Sequence, residues 1–269
     1  MQRNSLIVLL LLIACIQGIK AGAQTIKVLT YNIYHGEAHY QNGKSNLKKI
    51  AAVINRYKPD FVAMQEVDSM TNRTASFNDG VKKDLVAELA KMTGMYGYFG
   101  KAMDYSGGGY GEGLLSKYPA TPVVHHLPVP AGGEGRALIT IEHRFPNGQK
   151  MVFAGTHLCH EFEENRNAQA QAVADILLQM DLPVIVGGDF NITPDTKAYG
   201  IITKRMDDAA VRFGDPQLTF PYTKPKIRLD YIFLNRGKIW KVQKVEVIGK
   251  EDASDHKPVL VTLELIKKG

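Results

Sequence analysis

The chain has 269 residues, 45% hydrophobic and 22% charged, a globular balance that excludes a disordered or low-complexity protein and supplies material for a sizeable core. The length suits one large domain or at most two, and no linker divides it. A formal charge of +6 favours approach of an anionic substrate, yet it falls short of the concentrated basic stripe of a dedicated nucleic-acid binder.

Residues 1–23 read as an export signal: Arg3 supplies the charged start, residues 6–16 an apolar stretch, and Ala21-Gly22-Ala23 a small-residue cleavage site. The apolar run is too short to span a bilayer, which takes ~20 residues. Leu12-Ile13-Ala14-Cys15 resembles a bacterial lipoprotein box, so lipidation at Cys15 competes with cleavage after Ala23; cleavage is favoured, and both predict an exported protein, periplasmic, extracellular or attached to the envelope. Residues 24–269 then form the working domain. Without the leader, 31 basic residues face 27 acidic ones and the charge is +4. Cys159 becomes the lone cysteine, so no internal disulfide can form.

Short runs rich in Val, Ile and Leu alternate with helical patterns through the first two thirds. Residues 26–31 predict a strand; Leu47, Ile50, Ile54 and Tyr57 then make one apolar helical face. Residues 61–65 predict the next strand, followed by a helix over Val81, Leu85, Leu89 and Met92. Gly-rich residues 106–113 read as a loop and residues 114–117 as a strand. His125 and His126 lie in a strand-like stretch as surface or packing residues, and residues 131–135 read as a second loop. Neither loop has the lysine-ended spacing of a nucleotide phosphate cradle. Strands follow at 137–142 and 151–156, a helix at Val173, Ile176, Leu177 and Met180, and a strand at 184–186. The last strands, at 229–234, 241–247 and 259–265, lack intervening helices, which predicts antiparallel pairing.

Several of these strands end in polar residues that a core strand does not need. Tyr31-Asn32 and Gln65-Glu66 end the first two, His157 follows residues 151–156, and Asp189 and Asn191 follow residues 184–186. Asp230 interrupts Leu229 and Tyr231, and Ser254-Asp255-His256 precedes the last strand. Any one of these reads equally well as a turn or cap residue; six with this chemical selection point to a site.

At these residues, in this order, the chain resembles the endonuclease/exonuclease/phosphatase superfamily. The matching strings are TYNI at 30–33, QEV at 65–67, GEGLLSKYP at 111–119, GTHL at 155–158, GGDFN at 187–191, RLDYIF at 228–233 and SDHKP at 254–258. The resemblance covers nearly all of the mature chain. It implies an α+β fold, a four-layer α/β/β/α sandwich of two mixed β-sheets flanked by helices, and divalent-metal-dependent hydrolysis of phosphate esters.

Roles follow residue by residue. Glu66 and Asp255 offer the hard carboxylate oxygens that Mg2+ or Mn2+ requires, as the resemblance also implies. Asn32 would orient one of these carboxylates or touch the scissile phosphate. Asp189 would orient and deprotonate the attacking water, and Asn191 would donate its amide to a phosphate oxygen, period-two spacing aiming both the same way. His256 would stabilise developing charge or share in proton transfer, with Asp230 fixing its tautomer and raising its pKa. His157 reads as a second histidine facing the phosphate. By resemblance to secreted deoxyribonucleases, Glu112 supports His157, and Arg136 is similar to the family's phosphate-contacting arginine, a task its fork geometry suits. A zinc site at His157, Cys159 and His160 ranks below magnesium, because alternation puts neighbours on opposite faces.

Tyr34 stands where apurinic endonucleases usually carry Asp, and Ile192-Thr193-Pro194 replaces a distinctive arginine of inositol polyphosphate phosphatases, which disfavours both branches. A phosphodiester of nucleic acid or nucleotide type ranks first as substrate. A sphingomyelinase-like phospholipid head-group hydrolase or a phosphomonoesterase is the runner-up, and a non-catalytic binding module ranks last because the metal and water-activating positions are intact. No obligate protein partner is indicated.

Overall fold

Strand alternation sets the architecture. In β1 (Gln24–Asn32), Ile26 and Val28 point to one face and Leu29 and Tyr31 to the other, and all four are buried. A strand apolar on both faces needs cover on both. One side of this sheet packs on a second sheet, the other on helices.

The computed structural model describes residues 24–237, 239–249 and 252–266; the leader and its competing lipidation at Cys15 lie outside these residues. After β1 comes a 3-10 turn at Tyr34–Gly36, then α1 (Leu47–Tyr57), β2 (Phe61–Ser69), α2 (Asn72–Ser76), α3 (Leu85–Thr93), β3 (Tyr96–Tyr105) and β4 (Gly108–Ser116). The second half runs β5 (Pro122–Leu127), β6 (Arg136–Arg144), β7 (Lys150–His157), α4 (Glu163–Leu178), β8 (Val184–Asp189), α5 (Lys197–Thr203), β9 (Met206–Asp208), α6 (Ala209–Phe213), β10 (Asp230–Asn235), β11 (Trp240–Val247) and β12 (Val259–Leu265).

These strands form two six-stranded sheets, ordered β11-β12-β1-β2-β4-β3 and β5-β6-β7-β8-β10-β9. Each is mixed: β1 pairs with β2 and β7 with β8 in parallel, and the late strands pair antiparallel, as their missing crossover helices predict. The central core lies between the sheets, with Val28, Phe61 and Leu114 of the first facing Ile139, Phe153 and Ile185 of the second. A second apolar layer packs α1 and α3 onto the first sheet, and a third packs α4 and α5 onto the second. This is the predicted four-layer sandwich. Among the described residues no helix is long and apolar enough to cross a membrane.

Two expectations are corrected. Residues 106–113 are not a loop: β4 begins at Gly108, and its glycines reflect crowding, since a Cβ on Gly111 would collide with the Gly100 carbonyl and one on Gly113 would lie 2.8 Å from Val86. The helix expected from Val81 begins a turn later, because the Asp84 side chain accepts the Ala87 N–H and caps it there. Val81 is exposed.

The inner rows position the site. In β1 the row Ile26, Val28, Thr30 ends in Asn32; in β7 the row Met151, Phe153, Gly155 ends in His157; in β8 Ile185 and Gly187 are followed by Asp189. β10 reaches the same end through Asp230, with Ile232 and Leu234 behind it, and β4 through Glu112, with Leu114 behind it. Period-two geometry thus delivers five polar side chains to one end of the inter-sheet space.

Candidate active site

The pocket at that end has a volume of about 380 Å³ and is lined by Glu66, Arg136, His157, Asp189, Asn191, Asp255 and His256 together with His35, Arg73, Met103, Tyr105, Tyr110, Glu134, His160, Phe220 and Leu229. Seven of the ten residues singled out in the sequence therefore face one cavity. The other three, Asn32, Glu112 and Asp230, are buried behind its wall.

Asp189 is the hub. Its Oδ2 accepts the Asn32 amide at 3.0 Å and lies 3.6 Å from both His157 Nε2 and His256 Nε2. Burial, reinforced by the Asp230 charge, raises its pKa to about 7, while His256 and the Asn32 and Asn191 hydrogen bonds oppose the rise. His256 Nδ1 donates to Asp230 Oδ2 at 2.9 Å. Burial would neutralise this ring, but the carboxylates of Asp230 and Asp189 outweigh burial and push its pKa up to about 10. His157 goes the other way: burial first and the Arg136 charge second hold it well below the usual histidine value. One imidazolium and one neutral imidazole therefore flank one carboxylate.

Glu66 owes its place to a break in β2. Alternation would send it toward the helices with Val62 and Met64, but the ladder shifts between Met64 and Val67 and Glu66 takes a left-handed φ of 56°. Such a bulge re-aims a side chain. Glu66 Oε1 accepts the second Asn32 amide hydrogen at 3.0 Å, and Oε2 lies 3.5 Å from His35 Nδ1. Burial works against its charge, but the hydrogen bonds of His35 and Asn32 and the His256 charge overcome burial and bring its pKa to about 2. Asp255 is raised, by burial and then by the nearby Glu66 charge, against the pull of His256.

Asn32 thus spends both amide hydrogens on carboxylates, and its Oδ1 accepts the Tyr34 N–H at 3.1 Å. It orients Glu66 and Asp189 from behind the pocket wall. Glu112 likewise lies behind the pocket wall. It is 1% exposed, burial lifts its pKa to about 8, and the opposing hydrogen bonds come from backbone groups, His157's among them. Asn191 departs from its expected geometry. It has a left-handed φ of 49°, its N–H donates to Asp189 Oδ1, and its Nδ2 contacts His157 Nε2 and the Leu158 carbonyl, each at 3.0 Å. A turn, not extended spacing, brings it beside Asp189, and its amide hydrogens already have partners.

Cys159 Sγ accepts the Phe162 N–H at 3.4 Å, and among the described residues the one three-residue group placed to hold a metal is Asp189, Asp230 and His256, without Cys159, His157 or His160. His125 and His126 lie on β5, outside the pocket.

Sequence reasoning missed His35, Glu134 and the aromatic wall, and weighed His160 only as a zinc ligand. His35 bridges two carboxylates, with Nε2 3.3 Å from Glu37 Oε2. Arg73 grips Asp68 with two hydrogen bonds and stacks over Tyr105 at 4.5 Å. The signal for His35 was the odd YHG string after Asn32; the others sit on loops or an irregular strand end that carry no periodic pattern.

The donor chemistry fits a divalent cation at Glu66 and Asp255. Both offer hard oxygens to the open pocket and both are pinned, and each raises the cost of the other's charge. Donor atoms of Asp189, Asp230 and His256 also lie within 4.8 Å of one another. In that group His256 is held protonated by Asp230, so its nitrogens donate instead of ligating.

A two-sheet sandwich whose strand ends bring carboxylates, two histidines and a buried arginine into one pocket defines the architecture of a phosphoester hydrolase. The comparisons agree: residues 29–256 match the Endonuclease/Exonuclease/phosphatase family, and the chain belongs to it. Members of that family hydrolyse phosphoester bonds and generally use a divalent metal. An uncharacterised protein of Escherichia coli, YbhP, is 25% identical over 250 residues, covering 90% of this chain and 97% of its own. Two solved structures share the fold. The mannosyl-6-phosphatase of Bacteroides thetaiotaomicron gives a TM-score of 0.72 at 18% identity over 88% of this chain and 99% of that one. The catalytic domain of human nocturnin, with bound sulfate, gives 0.70 at 20% over 90% and 94%.

Proposed function

We propose that the protein is an exported, divalent-metal-dependent phosphoesterase whose first substrate class is phosphodiesters of nucleic-acid or nucleotide type. The observation that carries the catalytic reading is Asp189, a carboxylate with its pKa raised toward neutrality, between cationic His256 and neutral His157 on the pocket wall. A base titrating near the working pH is matched to proton abstraction from water. Asn32 fixes its orientation. His256, held protonated by Asp230, stabilises charge developing on the phosphate oxygens or supplies the proton to the leaving group. Arg136 lines the pocket as a buried cation for an anionic phosphate, with its Nε and Nη1 lacking partners. A bound Mg2+ or Mn2+ at Glu66 and Asp255 supplies Lewis-acid shielding of the phosphate. Export rests on the composition of the leader.

A phosphomonoester is the second reading. It is favoured by the free donors on Arg136, which suit a terminal phosphate, and by the fold shared with a sugar-phosphate phosphatase. Hydrolysis of bis-p-nitrophenyl phosphate and p-nitrophenyl phosphate with Mg2+ or Mn2+ ranks the two. Asp189→Asn should lose ~10²–10³ in kcat; a wild-type protein inert toward both esters with either metal would refute the enzymatic reading. A panel of DNA, RNA, sphingomyelin and phosphoinositides then locates the natural substrate.

A further inference from the structure

We propose that Glu134 is a resident competitor for the substrate's phosphate, a carboxylate that occupies the anion grip of Arg136 in the free protein and sets KM. The inference rests on the reading of this pocket as a phosphoester site.

A guanidinium grips an oxyanion with two parallel N–H donors along only two edges, Nη1/Nη2 and Nε/Nη2, because Cδ blocks the third. Both usable edges include Nη2. In Arg136 that atom is the one already engaged: it is ion-paired with Glu134 Oε2 at 2.8 Å and lies 3.3 Å from His160 Nδ1. Nε and Nη1 are buried without partners. With Glu134 and His160 both on Nη2, whose two hydrogens serve one edge each, a phosphate can make a two-point contact with Arg136 only when one of them lets go, and Glu134 is the charged one that competes with an anion.

The two partners differ in freedom. The Arg136 side chain is 1% exposed, with the Tyr110 ring 5.9 Å from its guanidinium carbon, whereas that of Glu134 is 41% exposed at the pocket rim. The loop carrying Glu134 is pinned by Asn165, which accepts the Ala131 N–H at 2.8 Å and donates to the Gly132 carbonyl at 2.7 Å. Exchange thus takes a rotation of the Glu134 side chain into solvent, without loop opening. The single carboxylate leaves Nε and Nη1 of Arg136 buried without partners, a costly arrangement that a tetrahedral oxyanion on either usable edge relieves at one of the two. The same displacement is required in ground state and transition state, so Glu134 acts on binding and leaves the chemical step alone.

The test uses the full chain with saturating Mg2+, wild type against Glu134→Gln, which keeps size and removes charge at an exposed position. Inorganic phosphate affinity is read by calorimetry, and KM and kcat by ester turnover. Glu134→Gln should bind phosphate about two- to fivefold more tightly, the scale of a partly exposed ion pair, and lower KM by a similar factor with kcat within twofold. Equal or weaker phosphate binding by Glu134→Gln, or no binding by either protein, overturns the inference. Tighter phosphate binding by Glu134→Gln in a protein that turns over no ester upholds the inference while refuting the catalytic reading.

Discussion

Two buried aspartates separated by one strand pairing show how alike a scaffold pair and a site pair look in sequence. Arg228 and Asp230 stand two residues apart in the RLDYIF string. Arg228 is paired to Asp208, and that carboxylate is saturated: it accepts two bonds from Arg228, two backbone N–H groups, from Ala210 and Val211, and the Tyr199 hydroxyl. Asp230 instead gives Oδ2 to His256 and leaves Oδ1 buried without a partner. A saturated carboxylate holds elements together. An under-satisfied one beside a pocket stores the electrostatic asymmetry that a reaction uses.

Replacing each member breaks that contrast in opposite ways. Asp230→Asn should cut kcat by ~10² while leaving the melting temperature near wild type. It should also lower the pKa of His256, since the Asp230 charge is the first attraction holding the ring protonated, so the alkaline limb of the kcat profile moves to lower pH. Arg228→Met strands the Asp208 charge and should cost roughly 3–5 kcal/mol of stability, seen as a lower denaturant midpoint, with KM unchanged where the variant stays folded. A variant of Arg228 that lost turnover but kept full stability would erase the distinction.

A smaller effect is expected at the pocket's carboxylate pair. His35→Ala frees Glu66 from its bridge to Glu37 and should weaken Mn2+ binding about tenfold by calorimetry; His35→Gln, which keeps an N–H donor, should recover part of it. Unchanged affinity in both variants would make His35 a bystander. The mildest prediction concerns Glu112. Burial raises its pKa to about 8 in the folded chain, so its neutral form's contribution is fully present below the ordinary glutamate pKa and is lost as pH rises through that value toward 8. Glu112→Gln should flatten the fall of melting temperature across this window; parallel pH profiles for the two proteins would contradict it.

How much of this was legible in the sequence follows from periodicity. Asn32, His157, Asp189 and Asp230 could be read because each ends an inner strand row, where a polar residue conflicts with the apolar pattern before it. Glu66 was readable as a residue but not in its aim, which depends on a left-handed backbone turn. Asn191 was assigned the right neighbourhood by the wrong geometry. The β3–β4 hairpin was misread because Gly109, Gly111 and Gly113 look like loop composition, whereas close packing requires at least Gly111 and Gly113 to lack a side chain. Glu134 and Tyr105 were invisible and His160 was weighed only as a zinc ligand, since their meaning arises only when loops and strand ends from different parts of the chain meet Arg136 and Arg73.

Because Asn32 and Glu112 are outer rungs of rows in one sheet and His157, Asp189 and Asp230 outer rungs of rows in the other, neither sheet holds the site in register alone. Recovery of turnover after dilution from denaturant should therefore lag any secondary-structure signal and track docking of one sheet on the other, making catalysis itself a late-stage folding probe for this molecule.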